Sequence, residues 1–414
     1  MTDPVARTTI PGRPWFALGL ALVVLTGLIA RAAIVAPGVR SGTLEDPDNY
    51  LPLARSLKNG EGFSIRDHPT AYRPPLYPIA LLPVVWVGRN EALGVASLHM
   101  ILGALTIVVT SLAARRWGLS PGTALIASAV VALDPVLISQ SRVVMTETLA
   151  ACLTSGVLWS VTFPGRLGPI GGGLLLGLSA LCRPSALAIA VLTALGAALD
   201  PTAPRKDRWT RASILLGVTF LTLAPWAVRN KFVLGEAVWT TTHGGYTLAL
   251  ANNPTYYDEV VNGPPGQVWT GARQREWWTA ITLATRGMTE PEADRWMRDY
   301  AVRVIRRRPR DFLRASIGRL GRFWGVAPAN AVYPWPLRVA TTCWTVPLWA
   351  ALVVGLRRPR NWSWPRLAAV TTPIALSLVH ILYWTDMRMR TAAIPAIALL
   401  AASALCWRSV SARG

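Results

Sequence analysis

Three acidic residues crowd four positions early in the chain: Glu45, Asp46 and Asp48. The chain carries 42 Lys+Arg against 21 Asp+Glu, so such a cluster stands out. A carboxylate there has the chemistry of a general base acting on a hydroxyl. Asp46 is the first candidate and Asp48 the second. The same residues have a purely structural use. Asp46 before Pro47 is a good helix cap, and Asp48 favours the positive end of the same helix.

Glu147 stands at the mouth of an apolar block, after Ser141-Arg142-Val143-Val144-Met145-Thr146. An ionisable group in or near a membrane span is a functional candidate by default. Its competing use is an ion pair with Arg142, at a spacing that a helix does not favour. Arg388 and Arg390 lie in Tyr383-Trp384-Thr385-Asp386-Met387-Arg388-Met389-Arg390. The planar guanidinium fork suits phosphate, while headgroup anchoring or pairing with Asp386 is the alternative. Arg73 and Arg183 are weaker candidates of the same kind.

Other chemistries find no support. There is no P-loop, no G-x-G-x-x-G following a strand and no H-E-x-x-H. The four cysteines (Cys152, Cys182, Cys343, Cys406) are scattered through apolar blocks and read as buried thiols. The four histidines are equally scattered, so no cofactor and no histidine metal site is expected; a need for a divalent metal stays open.

The elements that must hold these residues are membrane spans. Hydrophobic residues make up 52% of the chain and charged residues only 15%, against about 25% charged in soluble domains. The first block, Trp15 to Ala36, is broken only by Arg31 and is too long for a signal-peptide core. Further blocks lie near 76–88, 92–114, 121–136, 142–162, 169–184, 185–199, 212–228, 337–356, 365–383 and 391–407. The expected fold is an all-α polytopic membrane protein with about ten transmembrane helices. Arg115–Arg116, the run Arg205, Lys206, Arg208 and Arg211, and the run Arg357, Arg358, Arg360 and Arg366 mark cytoplasmic loops. The N-terminal Arg7 and Arg13 agree, so both termini are expected in the cytoplasm. The net charge of +21 then points to anionic lipid and phosphate rather than nucleic acid.

This divides the chain into an N-terminus and first span (1–36), a first outer loop (37–75), a membrane bundle (76–228), a large outer segment (229–336) and C-terminal spans (337–414). The outer segments are expected to carry amphipathic helices. Tyr50, Leu53, Ala54 and Leu57 recur at helical spacing, and Asn59-Gly60 ends that run. Thr289 and Glu292 form a capping-box pattern with Pro291 in the first turn. An apolar stripe follows from Ala293 to Ile305. After Pro309 it resumes through Phe312, Leu313, Ile317, Leu320, Phe323 and Trp324, flanked by Arg310, Arg314, Arg319 and Arg322. That second helix lies in the membrane interface or packs on the rest of the loop.

Taken in order, several segments resemble the glycosyltransferase-C superfamily, specifically the bacterial relatives of protein O-mannosyltransferases and of the lipid A aminoarabinose transferase. They are Asp46-Pro47-Asp48-Asn49-Tyr50 with Ala54, Leu57, Gly60, Gly62 and Phe63; Arg73-Pro74-Pro75-Leu76-Tyr77-Pro78; and Ser141-Arg142 through Thr146-Glu147. Leu178 to Pro184, Pro225-Trp226-Ala227-Val228-Arg229-Asn230 with Gly235, Gly244-Gly245-Tyr246, Asn252-Asn253-Pro254 and Arg388-Met389-Arg390 with Pro395 complete the set. One position departs: the family's acidic pair is Asp-Glu, and here Pro47 takes the second place. The resemblance implies inverting sugar transfer from a polyprenyl-phosphate donor at the outer face of the plasma membrane. A carboxylate of the first loop (Asp46 or Asp48, with Glu147 next) serves as base, and Arg388, Arg390, Arg183 and Arg73 attend the donor phosphate. The acceptor is left open between protein, lipid and glycan. Competing readings are a non-catalytic lipid-linked-sugar flippase or transporter, and an O-antigen ligase or polymerase. No internal repeat of the transporter kind is visible.

Overall fold

The computed structural model describes residues 14–405 apart from residues 89, 265, 266, 268, 270 and 329–332. Arg7, Arg13 and Cys406 therefore lie outside the described residues. The chain is mostly helical. Four helices are long and apolar enough to cross a membrane: α1 (Pro14–Ser41), α5 (Glu91–Arg116), α11 (Arg205–Leu234) and α17 (Trp335–Leu356). Between α1 and α5 lie α2 (Tyr50–Lys58), the hairpin β1 (Ser64–Ile65) and β2 (His68–Pro69), α3 (Leu76–Ala80) and α4 (Leu82–Val87). The next elements are α6 (Pro121–Leu133), α7 (Pro135–Ser139), α8 (Glu147–Ser160), α9 (Leu167–Cys182) and α10 (Ala186–Leu199). Segment 229–336 holds α12 (Gly244–Ala251), α13 (Pro254–Tyr256), α14 (Ala272–Ala284), α15 (Glu290–Arg307) and α16 (Pro309–Phe323). The chain closes with α18 (Leu367–Leu382) and α19 (Ile394–Ser403).

The apolar blocks do not all become long helices. Pro121–Leu133 and Pro135–Arg142 form a pair bent by 42°, a fifth candidate span, while α9, α10 and α18 are apolar but only 16, 14 and 16 residues long. Block 76–88 splits at Leu81 into two short helices, too short for the ~20 residues a crossing needs. Block 142–162 turns helical only at Glu147, because Val143 is extended and paired in parallel with Glu45.

Alanine-rich α19 is buried at every position and packs on α17, α6 and α18. Small side chains suit this central place, since helices in lipid associate through close packing rather than through hydrophobic expulsion. By contrast, α1 turns Leu18, Leu22, Leu25 and Ile29 outward. Arg31, in the middle of its apolar run, is buried and donates to the carbonyls of Gly27 (3.0 Å), Ala132 (2.9 Å) and Val131 (3.3 Å). The last two belong to the C-terminal end of α6, where unpaired carbonyls carry partial negative charge. Gly103 of α5 makes the room: a Cβ there would sit 2.8 Å from Arg31 Nε.

Segment 229–336 has its own core, built on Tyr256, Tyr257, Trp269, Trp277, Ile281, Met297, Ala301 and Val304. The expected capping box of Thr289 and Glu292 is present at the start of α15. Helix α12 crosses α15 so closely that a Cβ on Gly245 would meet the Asp294 carbonyl oxygen at 1.9 Å. Helix α16 packs on the rest of the protein by one face. Ala315, Ser316 and Phe323 pack inward, while Leu313 and Ile317 stay exposed on an apolar edge. Arg319 is a correction: it does not flank the stripe but is buried, donating to the carbonyls of Leu382 (2.9 Å) and Ala251 (3.0 Å) and to Asn252 Oδ1 (2.9 Å). The free carbonyls at the end of α18 draw it in.

Candidate active site

The acidic loop is fixed by its backbone. Val144 N donates to Glu45 O at 2.8 Å, which sets Asp46 and Asp48 beside the start of α8, and so beside Glu147. Asn49, in the left-handed conformation (φ 57), turns the chain into α2. Both Asp46 carboxylate oxygens are used there: Oδ1 accepts from Tyr50 N and Oδ2 from Leu51 N, each at 2.9 Å. Burial raises the Asp46 carboxyl above the usual carboxylate range, and the two N–H groups oppose that shift.

Asp48 is held differently. Its Oδ1 accepts from Arg73 Nη2 at 2.7 Å, and Arg73 Nε donates to the Asp48 carbonyl at 3.2 Å. The same guanidinium lies 3.3 Å from His243 Nε2 and over the Tyr72 ring at 5.2 Å. A guanidinium only donates, so His243 receives it through a bare Nε2 and its ring is neutral. Burial and the Arg73 charge agree, lowering the His243 pKa to about 3. His243 in turn stacks on Tyr246 at 5.1 Å.

Glu147 is wholly buried and meets Arg183 rather than Arg142, with Nη1 and Oε1 2.9 Å apart. Among the described residues, neither carboxylate oxygen has a hydrogen bond besides this ion pair. Arg183 follows the end of α9 and also reaches Thr146 Oγ1 (3.3 Å) and Met389 Sδ (2.9 Å). The last contact joins it to the turn carrying Arg388. Asp386 shapes that turn: Oδ1 caps Arg388 N at 2.9 Å, and Oδ2 pairs with Arg388 Nε at 3.1 Å. Asp386, Glu147, Arg183 and Asp48 all lie close enough for their charges to act on Arg388.

Arg388 and Asp386 line the polar end of a cavity of about 600 Å³. Arg322, Tyr256, Trp269 and Trp384 continue that wall, and Val136, Leu337 and Thr341 of the membrane helices form the apolar side. Arg322 is itself tied to Tyr256 Oη at 2.7 Å.

Of the seven residues singled out from sequence, Asp48, Glu147, Arg183 and Arg388 come together, with Arg73 behind Asp48 and Asp46 under the loop. Arg390 is separate. It is buried, donates to the Phe323 and Gly325 carbonyls, and stacks on Trp349 at 4.9 Å. Its guanidinium secures the end of α16, a role that the tight Arg388–Arg390 spacing concealed. His243, Tyr72 and Arg322 were not anticipated as site residues; only the Gly244-Gly245-Tyr246 motif beside His243 hinted at one of them. Among the described residues no group of three or more His, Cys, Asp or Glu is placed to hold a metal ion.

Comparison with known proteins gives concordant results. Residues 77–197 match the family model for dolichyl-phosphate-mannose-protein mannosyltransferase, less than a third of the chain. No curated protein matches. The crystal structure of the Archaeoglobus fulgidus oligosaccharyltransferase tethered with an acceptor peptide is 15% identical, with a TM-score of 0.56 over 95% of this chain and 49% of that one. Its apo form gives 14% and 0.57, over 94% and 50%. The chain thus spans about half the length of those structures. ArnT from Cupriavidus metallidurans bound to undecaprenyl phosphate is 15% identical, with a TM-score of 0.41 over 95% and 78%. The chain shares its fold with the oligosaccharyltransferase structures over about 95% of its length, and the family model over residues 77–197 agrees with the resemblance of its motifs.

Proposed function

We propose that this chain is an integral membrane glycosyltransferase that moves a sugar from a polyprenyl-phosphate donor to an acceptor hydroxyl, with inversion, at the extracytoplasmic face. One observation carries the reading: Arg388 lines a cavity whose other wall includes residues of membrane helices, and the charges of Asp48, Glu147 and Arg183 lie close enough to act on it. An ionic lipid with an apolar tail is the ligand such a cavity suits. The family model's own description, a transferase using a dolichyl-phosphate sugar, agrees with that donor class.

The chemistry follows from the side chains. The acceptor oxygen attacks the anomeric carbon, its proton passes to a carboxylate, and the carbon–oxygen bond to phosphate breaks. The electron pair leaves with the polyprenyl phosphate. Asp48 is the better base, since Arg73 holds one oxygen and leaves the other available, whereas both Asp46 oxygens cap α2. Arg388, backed by Arg183, stabilises charge as it develops on the leaving phosphate. Fixed guanidinium groups there help the transition state more than the bound donor.

We assign ten crossings to α1, α5, the bent α6–α7 pair, α8, α9, α10, α11, α17, α18 and α19, with α3–α4 confined to the outer side. Contacts support the alternation. Arg55–Glu91, the Glu45–Val143 bridge and Arg183–Met389 gather the outer ends. Arg366 with the Trp117 carbonyl, and Arg358 with that of Ala404, gather the inner ones. This puts the termini in the cytoplasm and the site on the outside of the plasma membrane. The test is release of polyprenyl phosphate by purified protein from a panel of polyprenyl-phosphate sugars with added acceptors. Release from at least one donor is expected; none from any donor would leave a flippase or transporter as the better reading.

A further inference from the structure

A second pocket, of about 260 Å³, opens between α12 and α14, and its Trp277 ring lies 5.3 Å from Trp269 of the larger cavity. Its walls are Tyr246, Leu250, Gln274, Arg275, Trp277 and Trp278. Trp277 is buried as a floor, whereas Trp278 is 53% exposed. Among the described residues, neither the Gln274 nor the Arg275 side chain has a protein partner in a hydrogen bond or ion pair. The pocket therefore combines aromatic faces with two uncommitted planar polar groups.

That pairing has a chemical meaning. The C–H groups of one face of a sugar ring are weakly positive and meet the negative face of an aromatic ring. Sugar hydroxyls both donate and accept, as does a glutamine amide, and a guanidinium fork supplies paired donors. The volume lies below the ~300–1,000 Å³ of drug-sized sites, which suits a single sugar unit.

The pocket also leads to the proposed base. Tyr246 stacks on His243, which contacts Arg73, which holds Asp48. Tyr246 lies within the field of the Asp48 carboxylate.

We infer that this pocket is an acceptor subsite for carbohydrate, holding one sugar unit of a glycan whose neighbouring unit presents its hydroxyl to Asp48. The inference rests on the transferase reading for its place in the reaction, but sugar binding can be measured without it. The probes are mannotetraose, maltotetraose and arabinotetraose at millimolar concentration, observed by saturation-transfer NMR against the full-length protein in detergent. At least one should bind, and Trp278→Ala and Gln274→Ala should each weaken binding about tenfold. Trp209→Ala, at an equally exposed tryptophan on the basic end of α11, should not. In transfer assays, Trp278→Ala should raise the acceptor KM tenfold while kcat changes less than threefold. Binding without turnover on any donor would keep the subsite and sink the transferase. Turnover with the acceptor KM unaltered in both variants would sink the subsite and keep the transferase. Failure of all three oligosaccharides to bind, or transfer to peptides alone, would overturn the inference outright.

Discussion

Replacing Asp48 by Asn separates catalysis from structure, because the amide keeps an oxygen where Arg73 Nη2 now donates at 2.7 Å. The ion pair is partly exposed, with side chains 15% and 24% accessible, so losing its charge should cost about 1 kcal/mol of stability. Losing a general base should lower turnover by about 10²–10⁴, a barrier increase of roughly 2.7–5.5 kcal/mol. Asp46→Asn should behave in the opposite way. Asn caps a helix about as well as Asp, and the loss of one of two backbone hydrogen bonds should cost about 0.5–1.5 kcal/mol. The assay is single-turnover transfer from a saturating donor, normalised to folded protein by size-exclusion chromatography. If Asp48→Asn kept more than a tenth of wild-type turnover while Asp46→Asn lost a hundredfold, the assignment would be reversed and the argument from free oxygens refuted.

Four further outcomes follow from the same geometry. Arg388→Lys keeps the charge but not the fork, so turnover should fall at least tenfold with folding intact, and Arg388→Ala should be worse; unimpaired Lys would remove the phosphate role. Arg390→Ala should instead act on stability, by about 1–3 kcal/mol for the carbonyls it strands, read as a lower melting temperature with turnover per folded molecule unaltered. Arg183→Ala leaves the buried Glu147 unpaired and should destabilise by about 3–5 kcal/mol, and adding Glu147→Gln should restore part of the melting temperature. The folded-state pKa of Asp46 is raised, so its protonated form is favoured in the fold. The stability of wild type relative to Asp46→Asn should therefore be greatest below about pH 4, near the unfolded carboxyl value, and decline as pH rises through the folded value; the reverse trend in melting temperature would show a stabilising Asp46 charge.

What the sequence revealed was local. The four long apolar helices, the Thr289–Glu292 capping box and the contact of Asp46 with the start of α2 each follow from spacing within one element or turn. The acidic loop and Glu147 were visible as candidates by type alone. Their partners were not, because Asp48 meets Arg73 25 positions away and Glu147 meets Arg183 36 positions away, between segments that only the tertiary fold brings together. Arg319, expected on the flank of a helix stripe, and Arg390, expected at phosphate or a headgroup, are both buried against carbonyls at helix ends, a role that residue type and local spacing do not reveal. His243 gave almost no signal, since its role comes from being held as an acceptor by Arg73.

The central claim is that Asp48 activates an acceptor for inverting displacement at a polyprenyl-phosphate sugar. The most direct measurement is the anomeric configuration of the product, read by NMR, from a donor of known anomeric configuration and with wild type and Asp48→Asn compared in one assay. The account predicts an inverted linkage formed by wild type and at least a hundredfold less of it by Asp48→Asn. A retained linkage, or an Asp48→Asn variant as fast as wild type, would contradict it.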